Sequence, residues 1–123
     1  MFIFQLASQH AEWLAARQSL TAANIANADT PGYRARDVLP FESVLDRMQL
    51  NLAVTHVNHQ LEPGNRFTSI GLEQEEGWDI TYSGNNVGLE TELMKVSENG
   101  RMQALDSGLT KTFHRMILAS LKV

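Results

Sequence analysis

The chain has 123 residues, no cysteine and a formal net charge of −4. This length suits one domain, the lack of cysteine excludes disulfide scaffolds and thiolate chemistry, and the mild acidity argues against a dedicated nucleic-acid-binding protein. The charge is uneven, because residues 61–92 sum to −6 and residues 93–123 sum to +3. No apolar stretch is long enough to predict a transmembrane helix, and the apolar start lacks the basic region of a secretory signal peptide.

The first predicted element is a helix over residues 5–28. It contains neither glycine nor proline and is rich in alanine, the strongest helix former. A four-three spacing of mainly apolar residues runs along it and includes Leu6, Trp13, Leu20 and Asn27. This spacing is typical of a seam between paired helices, although an ordinary amphipathic helix in a compact core has the same pattern.

Two asparagines lie near the end of this helix. Asn24 and Asn27 are one turn apart, and Asn27 falls on the apolar seam. A polar group there costs stability unless it is paired, but it can set the register between helices. Because Pro31 disfavours helical backbone at the residue before it, we expect the helix to end at a turn of Asp29, Thr30, Pro31 and Gly32. The residues after the turn that could contact a neighbour are Tyr33, Arg34 and Arg36, and a solvated basic segment is the plainer interpretation.

The middle of the chain, residues 30–86, is predicted to be irregular with a little β-structure. Apolar residues at helical spacing predict a short helix over residues 41–50, with Pro40 at its start. Alternating apolar and polar residues predict a strand over residues 78–82, with a weaker partner strand at 67–72. A turn is expected at residues 83–86.

A long C-terminal helix is predicted from Leu89 to Lys122. Its two four-three seams are offset around Gly100; the first includes Leu93, and the second includes Met102, Leu109 and Met116. As one unbroken helix it would span roughly 51 Å, more than the diameter of about 35 Å of a compact chain of this length. Either Gly100 or Gly108 therefore breaks the helix, or the protein is elongated.

These elements predict a mainly α fold. The N-terminal helix (residues 1–29) and the C-terminal helix (residues 87–123) pair as a coiled-coil-like unit, with the segment 30–86 between them. Seams of this length need to be covered by each other or by other subunits. We expect contacts between one set of residues on the first helix, Leu6, Trp13, Leu20 and Asn27, and another on the last helix, Leu93, Met102, Leu109 and Met116.

Catalytic chemistry is not indicated. His56 and His59 are three residues apart, which is half of a metal site at most, because zinc needs three or four ligands. The carboxylates of Glu73, Glu75 and Glu76 fit a solvated acidic loop better than a general acid and base. No phosphate-binding loop and no nucleophile in a motif context is present. We therefore expect no enzyme, no cofactor and no metal site.

The segment around the first turn is the most specific feature of the chain. Residues 23–33 resemble the N-terminal signature of the bacterial flagellar rod and hook axial proteins, and the continuation through Arg34 and Arg36 resembles the proximal rod members. Asn85 and Asn86, followed by Leu89, resemble the second signature of that family at the start of the C-terminal helix. The chain departs from the family at Gly88, where an Asp is usual, and around Gly100.

This resemblance implies a structural subunit of the proximal rod that assembles helically and transmits torque. The partners implied are other rod proteins, the adaptor protein between ring and rod, the flagellar export gate and further copies of the chain, but no nucleic acid. The resemblance also implies that the chain passes through the flagellar type III apparatus without cleavage and is located in the basal body. It further implies that the terminal helices become ordered on assembly. Residues 30–37 and the acidic middle are expected at subunit contacts. The alternatives are a soluble helical binding module, such as an export chaperone, and an enzyme built from the middle of the chain.

Overall fold

The computed structural model describes residues 2–52, 72–74 and 82–121, and it confirms a mainly helical fold. Its elements in chain order are α1 (Phe2–Ala26), β1 (Arg36–Val38), α2 (Phe41–Leu52), β2 (Leu72–Gln74) and α3 (Leu89–Leu121). The predicted helices therefore lie where the apolar spacing placed them, with ends shifted by a few residues. Among the described helices, none combines the length and the apolar character needed to cross a membrane.

Helices α1 and α3 run side by side in opposite directions. Three side-chain contacts show this, because the residue number falls on α3 as it rises on α1: His10 to Asp106, Arg17 to Glu98 and Asn24 to Glu92. With 33 residues, α3 spans about 50 Å. The helix continues through Gly100 and Gly108, so the helix pair is elongated and neither glycine breaks it.

The described β-structure is a two-stranded sheet that the sequence did not predict as such. Strand β2 pairs antiparallel with β1, with Val38 opposite Leu72 and Arg36 opposite Gln74. Residues 36–38 were not predicted to be a strand, because three residues are too short to show a period of two. The strand predicted over residues 78–82 lies outside the described residues except for Tyr82, which belongs to a turn. The partner strand predicted at 67–72 also lies outside them except for Leu72, the first residue of β2.

The apolar core is small and lies between α1, β1 and α2. Its buried members are Trp13, Leu14, Val38 and Val44, and Leu20, Leu39 and Phe41 pack against them. The indole N–H of Trp13 donates to the carbonyl oxygen of Leu39 at 2.8 Å, so this large side chain is held where the chain enters α2. The core therefore attaches α1 to the middle segment, and other contacts hold α3.

Candidate functional site

The turn after α1 is built from its own polar side chains. Gly32 has a φ of 71°, a left-handed conformation that glycine adopts without steric cost. The Asn27 amide donates to the carbonyl of Ala23 at 2.8 Å, and the Thr30 hydroxyl donates to the Asn27 side-chain oxygen at 3.1 Å. Asn27 therefore satisfies the helix end locally, whereas the sequence analysis expected it on the seam between the helices.

Asn85 joins this turn to the segment before α3. Its side-chain amide donates to the backbone oxygens of Asn27 and Thr30 at 2.9 and 2.8 Å, and its side-chain oxygen accepts the Val87 N–H at 2.8 Å. The Gly32 N–H donates to the carbonyl of Ser83 at 2.9 Å beside it. The two signature segments, which are more than fifty residues apart in sequence, thus form one hydrogen-bonded junction.

Asn86 extends the junction toward β1. Its side-chain oxygen accepts the Ala35 N–H at 2.7 Å, and its own N–H donates to the Tyr33 carbonyl at 3.3 Å. The Tyr33 hydroxyl in turn donates to the side-chain oxygen of Asn24 at 3.3 Å. Asn85 and Asn86 are both buried, so their bonds replace water that the backbone would otherwise need.

Asn24 is the third member of this junction. Its amide donates to the Arg36 carbonyl at 2.8 Å and to a Glu92 carboxylate oxygen at 3.1 Å, while its side-chain oxygen accepts the Arg36 N–H at 3.1 Å. An asparagine has two N–H donors and two acceptor sites, and here all of them are used. We call Asn24, Asn85 and Asn86 the asparagine junction.

A cluster of ion pairs continues from Glu92 along the α1–α3 interface. Lys95 contacts Glu92 at 3.1 Å and Asp37 at 3.2 Å, and Arg17 contacts Asp37 at 3.4 Å and Glu98 at 3.2 Å. These five residues, the ion-pair cluster, are alternately acidic and basic and connect α1, β1 and α3. Charges out of water are costly unless they are paired and hydrogen-bonded, so a satisfied cluster favours one register of the two helices.

Over residues 92–99, the face of α3 that meets α1 is therefore polar, which differs from the predicted apolar pairing. Its buried residues are Glu92, Lys95 and Asn99. Trp13 and Leu20 pack in the core with β1 and α2 instead, and Leu93, Met102 and Met116 are exposed. The apolar spacing on α3 is present, but Leu93, Met102 and Met116 lie outside its contact with α1, and a role for them in assembly stays a prediction.

An apolar cleft of about 290 Å³ lies at the opposite end of the helix pair. It brings together Leu6 and Leu109 from the two predicted sets, and its other lining residues are Ile3, Phe4, Ala7, His10, Phe41, Asp106, Thr110 and Phe113. One wall carries a polar contact, because His10 Nδ1 and Asp106 Oδ2 are 2.6 Å apart. The His10 ring also stacks on Trp13 with 5.7 Å between the ring centroids.

Several signature residues have exposed side chains, including two whose backbone groups bond to the junction. The exposed ones are Asp29, Thr30, Pro31, Arg34 and Arg36. The candidate ligands His56, His59, Glu75 and Glu76 lie outside the described residues, as does the side chain of Glu73. Across the described ranges, no group of three His, Asp or Glu side chains is placed to hold a metal ion.

The ion-pair cluster was not predicted from the sequence. A signal existed, since Glu92, Lys95 and Asn99 recur at a spacing of three and four residues and so share one helix face. Charged side chains are usually exposed, so such a spacing is normally taken to mark a solvent-facing side of the helix and not an interface. Only the pairing partners on α1 and β1 make this face suitable for burial.

Comparison with known proteins now identifies the class. The model of the flagella basal body rod protein family matches residues 13–34, which hold the end of α1 and the turn. Flagellar basal body rod protein FlgB of Agrobacterium fabrum is 40% identical over 98% of this chain and 92% of the relative. The FlgB proteins of Borrelia hermsii (30% identical, 81% of each chain) and Escherichia coli (34% identical, 69% of this chain and 67% of the relative) are similar too.

The chain belongs to the FlgB family of flagellar basal body rod proteins. It is a structural protein of the flagellar basal body and not an enzyme. The family-model match covers Asn24 and the turn from which the junction is built.

Proposed function

We propose that this chain assembles helically with other rod proteins in the proximal rod and transmits torque through the contact surfaces of its α1–α3 pair. The observation that carries this proposal is a contrast within α3. One face is tied to α1 and β1 by the ion-pair cluster, whereas Met102, Leu105, Leu109 and Met116 stay exposed. We call these four residues the apolar seam.

An uncovered apolar surface of this kind supports association. Soluble monomers rarely expose contiguous apolar patches of large area, and larger patches usually mark interaction sites. The apolar seam repeats over four turns of one helix, which is the spacing that a second helix can cover. Within the subunit, the asparagine junction and ion-pair cluster hold the helix pair in one register, so a load applied to the seam is passed to the whole pair.

The exposed residues of the turn are proposed as a second contact. Asp29, Arg34 and Arg36 project from a backbone that the asparagine junction holds in place. Charged side chains on a fixed backbone favour specific orientation of a partner more than raw affinity. The partners proposed are other rod proteins, the adaptor between ring and rod, and the export gate, with uncleaved export through the flagellar type III apparatus.

The experiment is complementation of a strain that lacks the gene for this chain. We expect Met102→Glu to abolish motility and to remove the chain from purified basal bodies, because a buried carboxylate without a partner opposes association. Ser107→Glu is the matched control, since it adds the same charge at an exposed position of α3 outside the seam. It is expected to support swimming like the unmodified chain.

Two results would contradict the proposal. Normal motility of the Met102→Glu strain, with the variant chain in basal bodies at the usual level, would show that the apolar seam is not a rod contact. A wild-type chain that stays in the cytoplasm and is absent from basal bodies would instead support the export-chaperone alternative.

A further inference from the structure

We infer that the start of α3 in one copy of this chain binds the apolar cleft at the far end of the helix pair of a second copy. This head-to-tail contact rests on the proposed rod role and deepens it by naming the two surfaces. The occupant of the cleft is thus a segment of the same chain, residues Leu89, Glu90, Leu93 and Met94 of the neighbour. The observations are the apolar character of both surfaces and the opposite charges beside them.

The receiving surface joins the cleft to the apolar seam. Leu109 belongs to both, because it lines the cleft and is 50% exposed. Leu105 and Met116, one turn before and two turns after Leu109, are exposed beside it. The cleft volume of about 290 Å³ leaves room for apolar side chains from a partner, and Leu6 and Phe113 form its walls.

The inserted surface is the first two turns of α3. Leu89, Leu93 and Met94 are 50%, 54% and 73% exposed, so three large apolar side chains lie uncovered within six residues. Leu89 and Leu93 are four residues apart and therefore adjacent on the helix surface. Glu90 lies between Leu93 and Met94 around the helix and adds an exposed carboxylate to this apolar patch.

Charge favours this pairing of the two ends. Residues 89–99 of α3 sum to −2 and residues 100–121 sum to +2. Arg101, Lys111 and Arg115 are exposed, and none of them forms an ion pair with another described residue. Arg101 is four residues before Leu105, so its guanidinium borders the apolar seam where Glu90 of a neighbour would arrive.

The helix dipole does not explain these bases. Its influence falls off within the last turn of a helix, and the last turn of α3 contains no basic residue. Arg101 and Lys111 lie at least ten residues before Leu121, the end of α3. Their positions are better explained by an acidic partner beside the seam.

The two surfaces are separate on each copy. Leu93 and Leu109 are sixteen residues apart, which is about 24 Å along the helix axis. One copy can therefore insert its α3 start in a second copy while its own cleft receives a third. A contact between two different surfaces of identical chains propagates unless a rotation closes it into a ring.

Site-specific crosslinking tests the contact. Because the chain contains no cysteine, the introduced thiols are the only ones that can react. The double variant Leu93→Cys/Leu109→Cys, purified and treated with a short bismaleimide, should give a ladder of dimers, trimers and larger species. Leu93→Cys/Leu118→Cys is the control. Leu118 is similarly exposed but lies nine residues, or two and a half turns, from Leu109 and so on the opposite face.

A ladder with Leu109→Cys that exceeds the control ladder supports the contact. Dimers alone would overturn it, because a two-fold contact closes after one pair forms. Equal ladders in the two double variants would also overturn it, since they would reflect random collision. The contact would also be overturned if no crosslinks form although circular dichroism shows that both variants are folded.

Charge reversal gives a second, independent measurement. Glu90→Lys or Arg101→Glu should each reduce the crosslinked fraction about two- to fivefold, the effect expected of an exposed ion pair. The combined Glu90→Lys/Arg101→Glu variant should restore it. If the combined variant does not restore the crosslinked fraction, the pairing of these two residues is wrong, and so is the proposed orientation.

The results separate this contact from the proposed rod function. If the chain gives a ladder but is absent from basal bodies, the contact is supported and the rod role is rejected. If the chain is present in basal bodies but gives no ladder through Leu109→Cys, the rod role is supported and the contact is rejected.

Discussion

Asn24 on α1 and Glu92 on α3 share a hydrogen bond of 3.1 Å between two side chains that are each 1% exposed. The bond connects the signature segment at the end of the first helix to the first turn of the last one. Because Lys95 holds the other carboxylate oxygen of Glu92 at 3.1 Å, Asn24 also connects the asparagine junction to the ion-pair cluster. The register of the helix pair is set at this point.

Loss of Asn24 should therefore destabilise the chain. Asn24→Ala leaves the Arg36 N–H and carbonyl and the Glu92 carboxylate without this partner, and we expect the free energy of unfolding to fall by about 3 kcal/mol. Urea denaturation followed by circular dichroism measures it. Asn27→Ala is the matched control, because its side-chain bonds are exposed and its loss should cost less than about 1 kcal/mol. Equal effects would show that Asn24 is not the central group.

The ion-pair cluster should be sensitive to the loss of a single charge. Lys95→Met leaves Glu92 and Asp37 close together in a buried place without their shared cation, so we expect a destabilisation of about 3 kcal/mol. Lys111→Met removes the same charge from an exposed position of the same helix and should change stability by less than about 0.5 kcal/mol. Thermal unfolding of both variants provides the comparison, and similar melting temperatures would contradict a buried cluster.

Two glycines should respond in opposite directions to the same substitution. An added Cβ would meet nothing within 4 Å at either Gly32 or Gly100, but Gly32 has a φ of 71° whereas Gly100 lies within α3. Gly100→Ala should stabilise the chain by about 1 kcal/mol through helix propensity. Gly32→Ala should destabilise it by about 1 kcal/mol, because the left-handed conformation is strained for alanine. Chemical denaturation distinguishes the two, and changes of the same sign would refute this explanation.

The start of α3 offers a further test at Gly88. The Gly88 carbonyl accepts the Glu92 N–H at 3.0 Å, so Gly88 occupies the N-cap position. Gly88→Asp should stabilise the chain by about 0.3 kcal/mol because its carboxylate can accept an N–H of the first turn. Gly88→Ala lacks that acceptor and should destabilise it, and a gain with alanine as large as with aspartate would exclude a capping effect.

The two halves of α3 should also differ in local stability. The first half carries the buried residues Glu92, Lys95 and Asn99, whereas most side chains after Gly100 are exposed. In dilute solution we expect amide hydrogens of residues 108–121 to exchange faster than those of residues 92–99, since local opening follows the number of buried contacts. Assembly should slow the exchange of the second half. Uniform protection along α3 in the monomer would contradict this expectation.

Local patterns in the sequence were sufficient for the helices and the turn. The spacing of apolar residues predicted α1, α2 and α3 close to their observed bounds, and Pro31 with Gly32 marked the end of α1. These features depend on neighbours three or four residues away. The signature around Asn24 also pointed to the flagellar axial proteins, and the relatives confirm the family.

The tertiary structure decided which face of each helix is covered. Trp13 was expected opposite the apolar residues of α3, but it packs against β1 and α2, and the α3 face toward α1 is polar over residues 92–99. Burial of Glu92 and Lys95 is favourable only because Asn24 contacts Glu92 and Asp37 contacts Lys95 there. Such partners are distant in the chain, so the period of a single helix holds no information about them. The same long-range contacts leave the apolar seam uncovered and available to other subunits.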